Sequence, residues 1–166
     1  MNWENLKDKI YIWEGGWLDL YVLDINERNW FDWVNYVNEK FKISWFNGRT
    51  QKDEDQINFS VIQEYWSGNT ELISTATIYL TESIQIKAHF FDNSEFENDL
   101  DPREFNNLED HNALMNYLLN ISTIMKKEVI LTPENCRDIV LISANGEKVN
   151  ISTDFEPSNW PLKMKE

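Results

Sequence analysis

The stretch from His89 to Phe105, HFFDNSEFENDLDPREF, carries an apolar run into a densely acidic segment and closes on a helix-start signal. Its last six residues have a local explanation. Asp101 caps, Pro102 takes the first helical position, Glu104 the third, and Leu100 can staple onto Phe105. That assigns Asp101 and Glu104 to structure and leaves Asp92, Glu95, Glu97 and Asp99 as a displayed acidic loop. Upstream, Ile84, Ile86, Ala88 and Phe90 alternate with Gln85, Lys87, His89 and Phe91, so a strand from Ser83 to Phe91 buries one side and wets the other. It reads as the last of three, after Ile57 to Trp66 and Thr70 to Leu80, with turns at Ser67-Gly68-Asn69 and Thr81-Glu82-Ser83. The centre is therefore an antiparallel meander. Downstream, Asn107 caps a second helix with Asp110 at its third position, and Leu114, Leu118, Ile121 and Met125 form its apolar stripe. Lys126 and Lys127 suit the negative end of its dipole. His111 lies in its first turn with no recognisable partner.

Working outward, Ile10-Tyr11-Ile12-Trp13 and Trp17 to Leu23 are rich in β-branched and aromatic residues and flank Gly15-Gly16, which predicts a hairpin. A helix follows, capped by Asn26 or Asp24, with Trp30, Trp33, Val34, Val37 and Phe41 on one face. The tryptophans on that stripe belong in a core, whereas Trp13 and Trp17 beside the turn are assigned to neither core nor surface. Lys42 to Phe46 is a short strand, and residues 47–56, NGRTQKDEDQ, have a loop's composition. Toward the C-terminus, Glu128 to Leu131 is a strand running into Thr132-Pro133-Glu134-Asn135, a second cap followed by proline. Residues 138–143 and 147–152 flank Asn145-Gly146, a hairpin signal. Residues 153–166 read as an extended tail pinned by Trp160. The sum is one α+β domain over residues 1–166, an antiparallel or mixed sheet of about seven to nine strands with two main helices packed on one face.

The chain has 166 residues, enough for one core, and 42% of them are hydrophobic, which argues against disorder despite a net charge of −14. The charge is unevenly placed. Residues 53–110 carry 14 acidic side chains against Lys87 and Arg103 alone, while both flanks are nearly balanced. Such a field repels nucleic acid and favours basic partners, although acidity also serves solubility. The single cysteine, Cys136, excludes an internal disulfide and a Cys-rich metal site. The segment MNWENLKDKIYIW does not read as a signal peptide, and no apolar run is long enough for a membrane span, so a cytoplasmic protein without membrane contact is expected.

No glycine-rich phosphate loop or nucleophile elbow is present, so no cofactor is expected. His89 with Asp92, Glu95, Glu97 and Asp99 is the one cluster mixing a possible base with acids. The run Asp92-Asn93-Ser94-Glu95 lacks the spacing, glycine and terminal glutamate of a calcium loop, so no metal site is assigned. Cys136 could have a lowered pKa after a helix start, but a small buried thiol is the simpler reading.

Three segments carry a resemblance: Gly16-Trp17-Leu18-Asp19-Leu20-Tyr21-Val22-Leu23-Asp24 before an aromatic helix, the His89-Phe90-Phe91 strand leading to Asp99-Leu100-Asp101-Pro102-Arg103-Glu104, and Leu131-Thr132-Pro133-Glu134-Asn135. Together they resemble a small bacterial family of single-domain proteins without an assigned activity, across most of residues 10–136. In size, acidity and layout the chain also resembles the acidic α+β immunity proteins of bacterial polymorphic toxin systems, which implies a non-catalytic module covering a basic toxin surface. On that expectation the partner-binding residues are Asp53, Glu54 and Asp55 of the first loop, Asp92, Glu95, Glu97 and Asp99 of the second, and Trp66 as an aromatic anchor. Two alternatives stand beside it: a small hydrolase using His89 with an acidic residue, and a scaffold or homo-oligomer subunit, such as a homodimer, joined through exposed strand edges and aromatics.

Overall fold

In the computed structural model, which describes residues 1–72 and 75–152, the elements run α1 (Trp3–Lys9), β1 (Leu18–Val22), α2 (Glu27–Lys40), β2 (Lys42–Asn47), β3 (Lys52–Glu54), α3 (Phe59–Trp66), β4 (Thr75–Tyr79), β5 (Gln85–Asp92), β6 (Glu95–Leu100), α4 (Leu108–Met125), β7 (Val129–Pro133), β8 (Ile142–Asn145) and β9 (Lys148–Ile151). The strands form one sheet in the order β3-β2-β4-β5-β6-β1-β7-β8-β9, and every neighbouring pair is antiparallel. The fold is a single α+β domain, as its alternating strands and two long amphipathic helices imply. The expected tail over residues 153–166 lies outside the described residues.

Register aligns the apolar positions into rows. Ile43, Ile78, Ile86, Leu100 and Leu18 are successive partners across β2, β4, β5, β6 and β1, and all are buried. The helices cover this face. Trp30 and Trp33 of α2 are fully buried, with the Trp30 ring 4.8 Å from Phe96 and 5.3 Å from Phe90. Asn98 of β6 is a polar side chain in the apolar rows, and it is satisfied through α4: Trp33 Nε1 donates to Tyr117 Oη at 3.2 Å, and that hydroxyl donates to Asn98 Oδ1 at 2.8 Å.

Four local expectations are corrected. Residues 10–13 do not pair with β1. They follow α1, where Ile10 and Tyr11 both bond back to the Leu6 carbonyl, and the Tyr11 ring then stacks on Phe105 at 4.4 Å. Strand β1 pairs instead with β6 and β7. Residues 57–66 are mostly helix, because Asn58 accepts from the Ser60 amide and Val61, Ile62, Tyr65 and Trp66 recur at helical spacing; cap and periodicity override β-branched content. Thr132-Pro133-Glu134-Asn135 ends β7 in a turn and starts no helix.

The fourth correction concerns the acidic run. Glu95 to Leu100 is no loop but β6, at the middle of the sheet, joined to β5 through the two-residue turn Asn93-Ser94, whose Ser94 amide donates to Asp92 Oδ1 at 2.7 Å. Its residues alternate carboxylate out and Phe96, Asn98, Leu100 in. Caps at Asp101 and Asn107 lie where the sequence puts them, although the Asp101 cap opens only a short 3-10 turn over Pro102–Glu104. The C-terminal hairpin forms with Gly146-Glu147 as its loop, one residue beyond the expected pair. No described helix is long and apolar enough to cross a membrane.

Candidate functional site

The sheet face opposite the helices is built from residues of alternate parity, and register sets them in two rows. Thr77, Lys87, Asp99, Asp19 and Thr132 are successive partners across β4, β5, β6, β1 and β7, and Thr75, His89, Glu97, Tyr21 and Ile130 form the next row. Directly opposed side chains on neighbouring strands lie roughly 5 Å apart at Cβ, so Asp99 faces Asp19 with Glu97 beside them. Like charges so placed repel. Lys87, opposite Asp99, turns its ammonium to Thr77 Oγ1 at 2.8 Å and Gln85 Oε1 at 3.2 Å, and the partner Asp99 Oδ2 does take is His89 Nε2 at 2.6 Å. His89 Nδ1 lies 3.2 Å from Thr75 Oγ1. Asp99 Oδ1 is buried without a hydrogen-bond partner among the described residues.

Asp19 is the covered member of the group, 3% exposed. The segment after β7 crosses it. Asn135, in the left-handed region at φ +57°, donates its amide to Asp19 Oδ2 at 2.7 Å, and Tyr21 Oη donates to the same oxygen at 2.7 Å. The Arg137 guanidinium lies 4.6 Å over the Tyr21 ring and pairs with Glu95. Gly16 belongs to the same arrangement, since a Cβ there would stand 3.0 Å from the Glu134 carboxylate.

Burial and charge crowding together shift these groups. Burial pushes the Asp19 carboxyl up to about 6, the bonds from Asn135 and Tyr21 oppose that, and the charges of Asp99 and Glu97 add to it. Burial, then the Asp99 charge, raises Glu97 as well. For His89, burial favours the neutral ring, but the bond to Asp99 with the charges of Asp99, Glu97 and Asp19 outweighs it and raises the pKa. The Cys136 thiol, half-buried, is pushed up by burial and by Asp19, Asp138 and Glu134, so the lowered pKa considered from sequence is not found. His111, which had no partner in sequence, is buried against Tyr11, whose hydroxyl lies 2.7 Å from Nδ1.

The expected acidic binding residues separate into two groups, and Trp66 belongs to neither. Glu95, Glu97 and Asp99 share the open face, with Asp92 exposed at the adjoining turn. Asp53, Glu54 and Asp55 lie four strands away, at roughly 19 Å for strand spacings of about 4.8 Å. Glu54 pairs in register with the buried Trp45, so it faces the helix layer, where it accepts from Asn47 Nδ2 and Thr50 Oγ1. Trp66 is half-buried, donates Nε1 to the Phe90 carbonyl at 2.8 Å and packs 5.6 Å from Trp30. Sequence reasoning missed Asp19, Tyr21, Thr75 and Arg137. It missed Phe91 too, 56% exposed and stacked on His89 at 5.0 Å, although an aromatic on the wet side of an alternating strand was its signal. A shallow depression of about 500 Å³ opens beside them, lined by Trp17, Thr75, Lys87, His89, Asp99 and Glu134 among others. Among the described residues no group of three His, Cys, Asp or Glu is set to hold a metal ion.

Compared with protein-family models, with curated proteins and with solved structures, the chain matches none.

Proposed function

We propose that the chain is a protein-binding module that takes a basic partner on the open face of its central strands, in the manner of an immunity or inhibitor protein covering a toxin surface. One observation carries the reading: Asp19, Glu97 and Asp99 are set side by side on β1 and β6, with Asp19 and Glu97 held above their ordinary pKa ranges by burial and by the neighbouring Asp99 carboxylate. Perturbed carboxyls gathered on one surface mark a candidate functional site. A partner's lysine or arginine would separate these charges and speed encounter. Phe91, the exposed aromatic next to them, supplies apolar area of the kind that anchors interfaces.

The test is capture from the native lysate at low salt, with three baits: the wild-type chain, a Glu97→Gln/Asp99→Asn variant, and an Asp53→Asn/Asp55→Asn variant. The reading expects a basic protein held by the first and third baits, released as salt rises, and lost from the second. Equal retention by all three would overturn it.

A further inference from the structure

Asp99, His89 and Thr75 form a hydrogen-bonded chain across β6, β5 and β4 that partner binding does not require. An ionised carboxylate only accepts, so at 2.6 Å from Asp99 Oδ2 the His89 Nε2 must carry the proton. In the neutral ring Nδ1 is then a free lone pair, and at 3.2 Å it faces the Thr75 hydroxyl, which must be its donor. The tautomer is fixed by chemistry, and Phe91, stacked parallel to the imidazole at 5.0 Å, holds the ring plane. Thr75 is exposed at the start of β4 and lines the same depression as Trp17 and Lys87. A hydroxyl, a base and a carboxylate that orients the base is the arrangement that activates an oxygen nucleophile.

We propose that Thr75 is a nucleophile activated by His89, with Asp99 as its positioning residue, and that the chain accepts acyl groups from small carboxylic esters. Thr75 Oγ attacks the carbonyl carbon while its proton passes to His89 Nδ1. The adduct collapses with cleavage of the bond to the leaving oxygen, which takes that proton and departs as the alcohol. Acyl-Thr75 remains. Water, giving a proton to Nδ1, then attacks the acyl carbon, and Thr75 Oγ leaves with the proton returned, so the net reaction is hydrolysis. Trp17 offers an apolar wall to the acyl group, and Lys87 is the cation in the depression, favouring the developing oxyanion. This activity goes beyond partner binding.

The charged groups facing His89 are Asp99 and Glu97 on β6, Asp19 on β1 and Lys87 on its own strand, and the anions hold its pKa above the ordinary 6.5. Acylation therefore rises with pH through a value above that of free histidine. The experiment uses p-nitrophenyl acetate as probe, with phenolate release followed across pH and the acetyl group located by peptide mass spectrometry. Expected are acetyl on Thr75, no such label in Thr75→Val, retention in Thr75→Ser, and a rate at least about 100-fold lower in His89→Gln. Asp99→Asn should lower the midpoint of the pH profile, which a purely structural role for Asp99 would not do. Acetyl confined to lysines or the amino terminus, or unchanged phenolate release in Thr75→Val, would overturn the proposal. Because Thr75→Val leaves Asp19, Glu97 and Asp99 intact, its partner capture should match wild type, so this activity and the binding role fail separately.

Discussion

The two faces of β6 differ at a spacing of one residue. Phe96, Asn98 and Leu100 are fully buried, and even the amide among them has its oxygen bonded to Tyr117 and its nitrogen to the Glu97 carbonyl at 2.9 Å. Glu95, Glu97 and Asp99 are half-buried on the other side, crowded by Asp19, and one Asp99 oxygen has no partner among the described residues. Polar groups can be satisfied inside this fold when stability is at stake. Carboxylates left in mutual repulsion on the open face therefore point to a use other than stability.

The largest expected effect lies on the inner face. Phe96→Ala empties the contact with Trp30 and Trp33 and should lower unfolding free energy by about 3–5 kcal/mol in a denaturant melt. A loss under about 1 kcal/mol would mean the inner row is not packed as described. Asn98→Ala should cost about 1–3 kcal/mol, because the Tyr117 hydroxyl, fully enclosed, loses its acceptor.

On the outer face the sign reverses. With its folded pKa near 6, above that of an unfolded aspartate, Asp19 holds its proton more tightly in the native state. Its stabilising effect is complete below about pH 4 and is lost as pH rises through about 6. Asp19→Asn keeps an oxygen for Tyr21 and Asn135 to bond and removes the charge. Near pH 7.5 it should therefore stabilise the chain by about 1–2 kcal/mol, and it should flatten the fall in stability between about pH 4 and 6. A destabilised variant with an unchanged pH profile would break the contrast between the faces. The smallest effect belongs to the sheet edge, where Asp53→Asn with Asp55→Asn should change thermal stability by under about 0.5 kcal/mol.

Some of this was legible in the chain and some was not, for identifiable reasons. Local signals with one mechanism were read correctly: alternation in β5, the caps at Asp101 and Asn107, the helical stripe of Trp30, Trp33, Val34 and Val37, and the hairpin near Gly146. Where two signals competed, composition misled. Residues 57–66 carry strand-like side chains on a capped helical period, and Glu95 to Leu100 hides an alternating strand under its acid content. The pairing of β1 with β6 and β7 is long-range, so no local pattern could bring Asp19 to Asp99 or rank Asp19 as a site residue. His89 and Asp99 were both singled out from sequence, yet their contact depends on a two-residue turn at Asn93-Ser94 that was read as part of a loop.

Whether the acids of β1 and β6 share one crowded sheet face is decided by side-chain carboxyl NMR of the wild-type chain across pH. Expected are a midpoint of about 6 for Asp19 and a raised midpoint for Glu97, each moving toward its ordinary value when Asp99 is replaced by its amide. Independent titration of both at ordinary carboxylate values would contradict that arrangement.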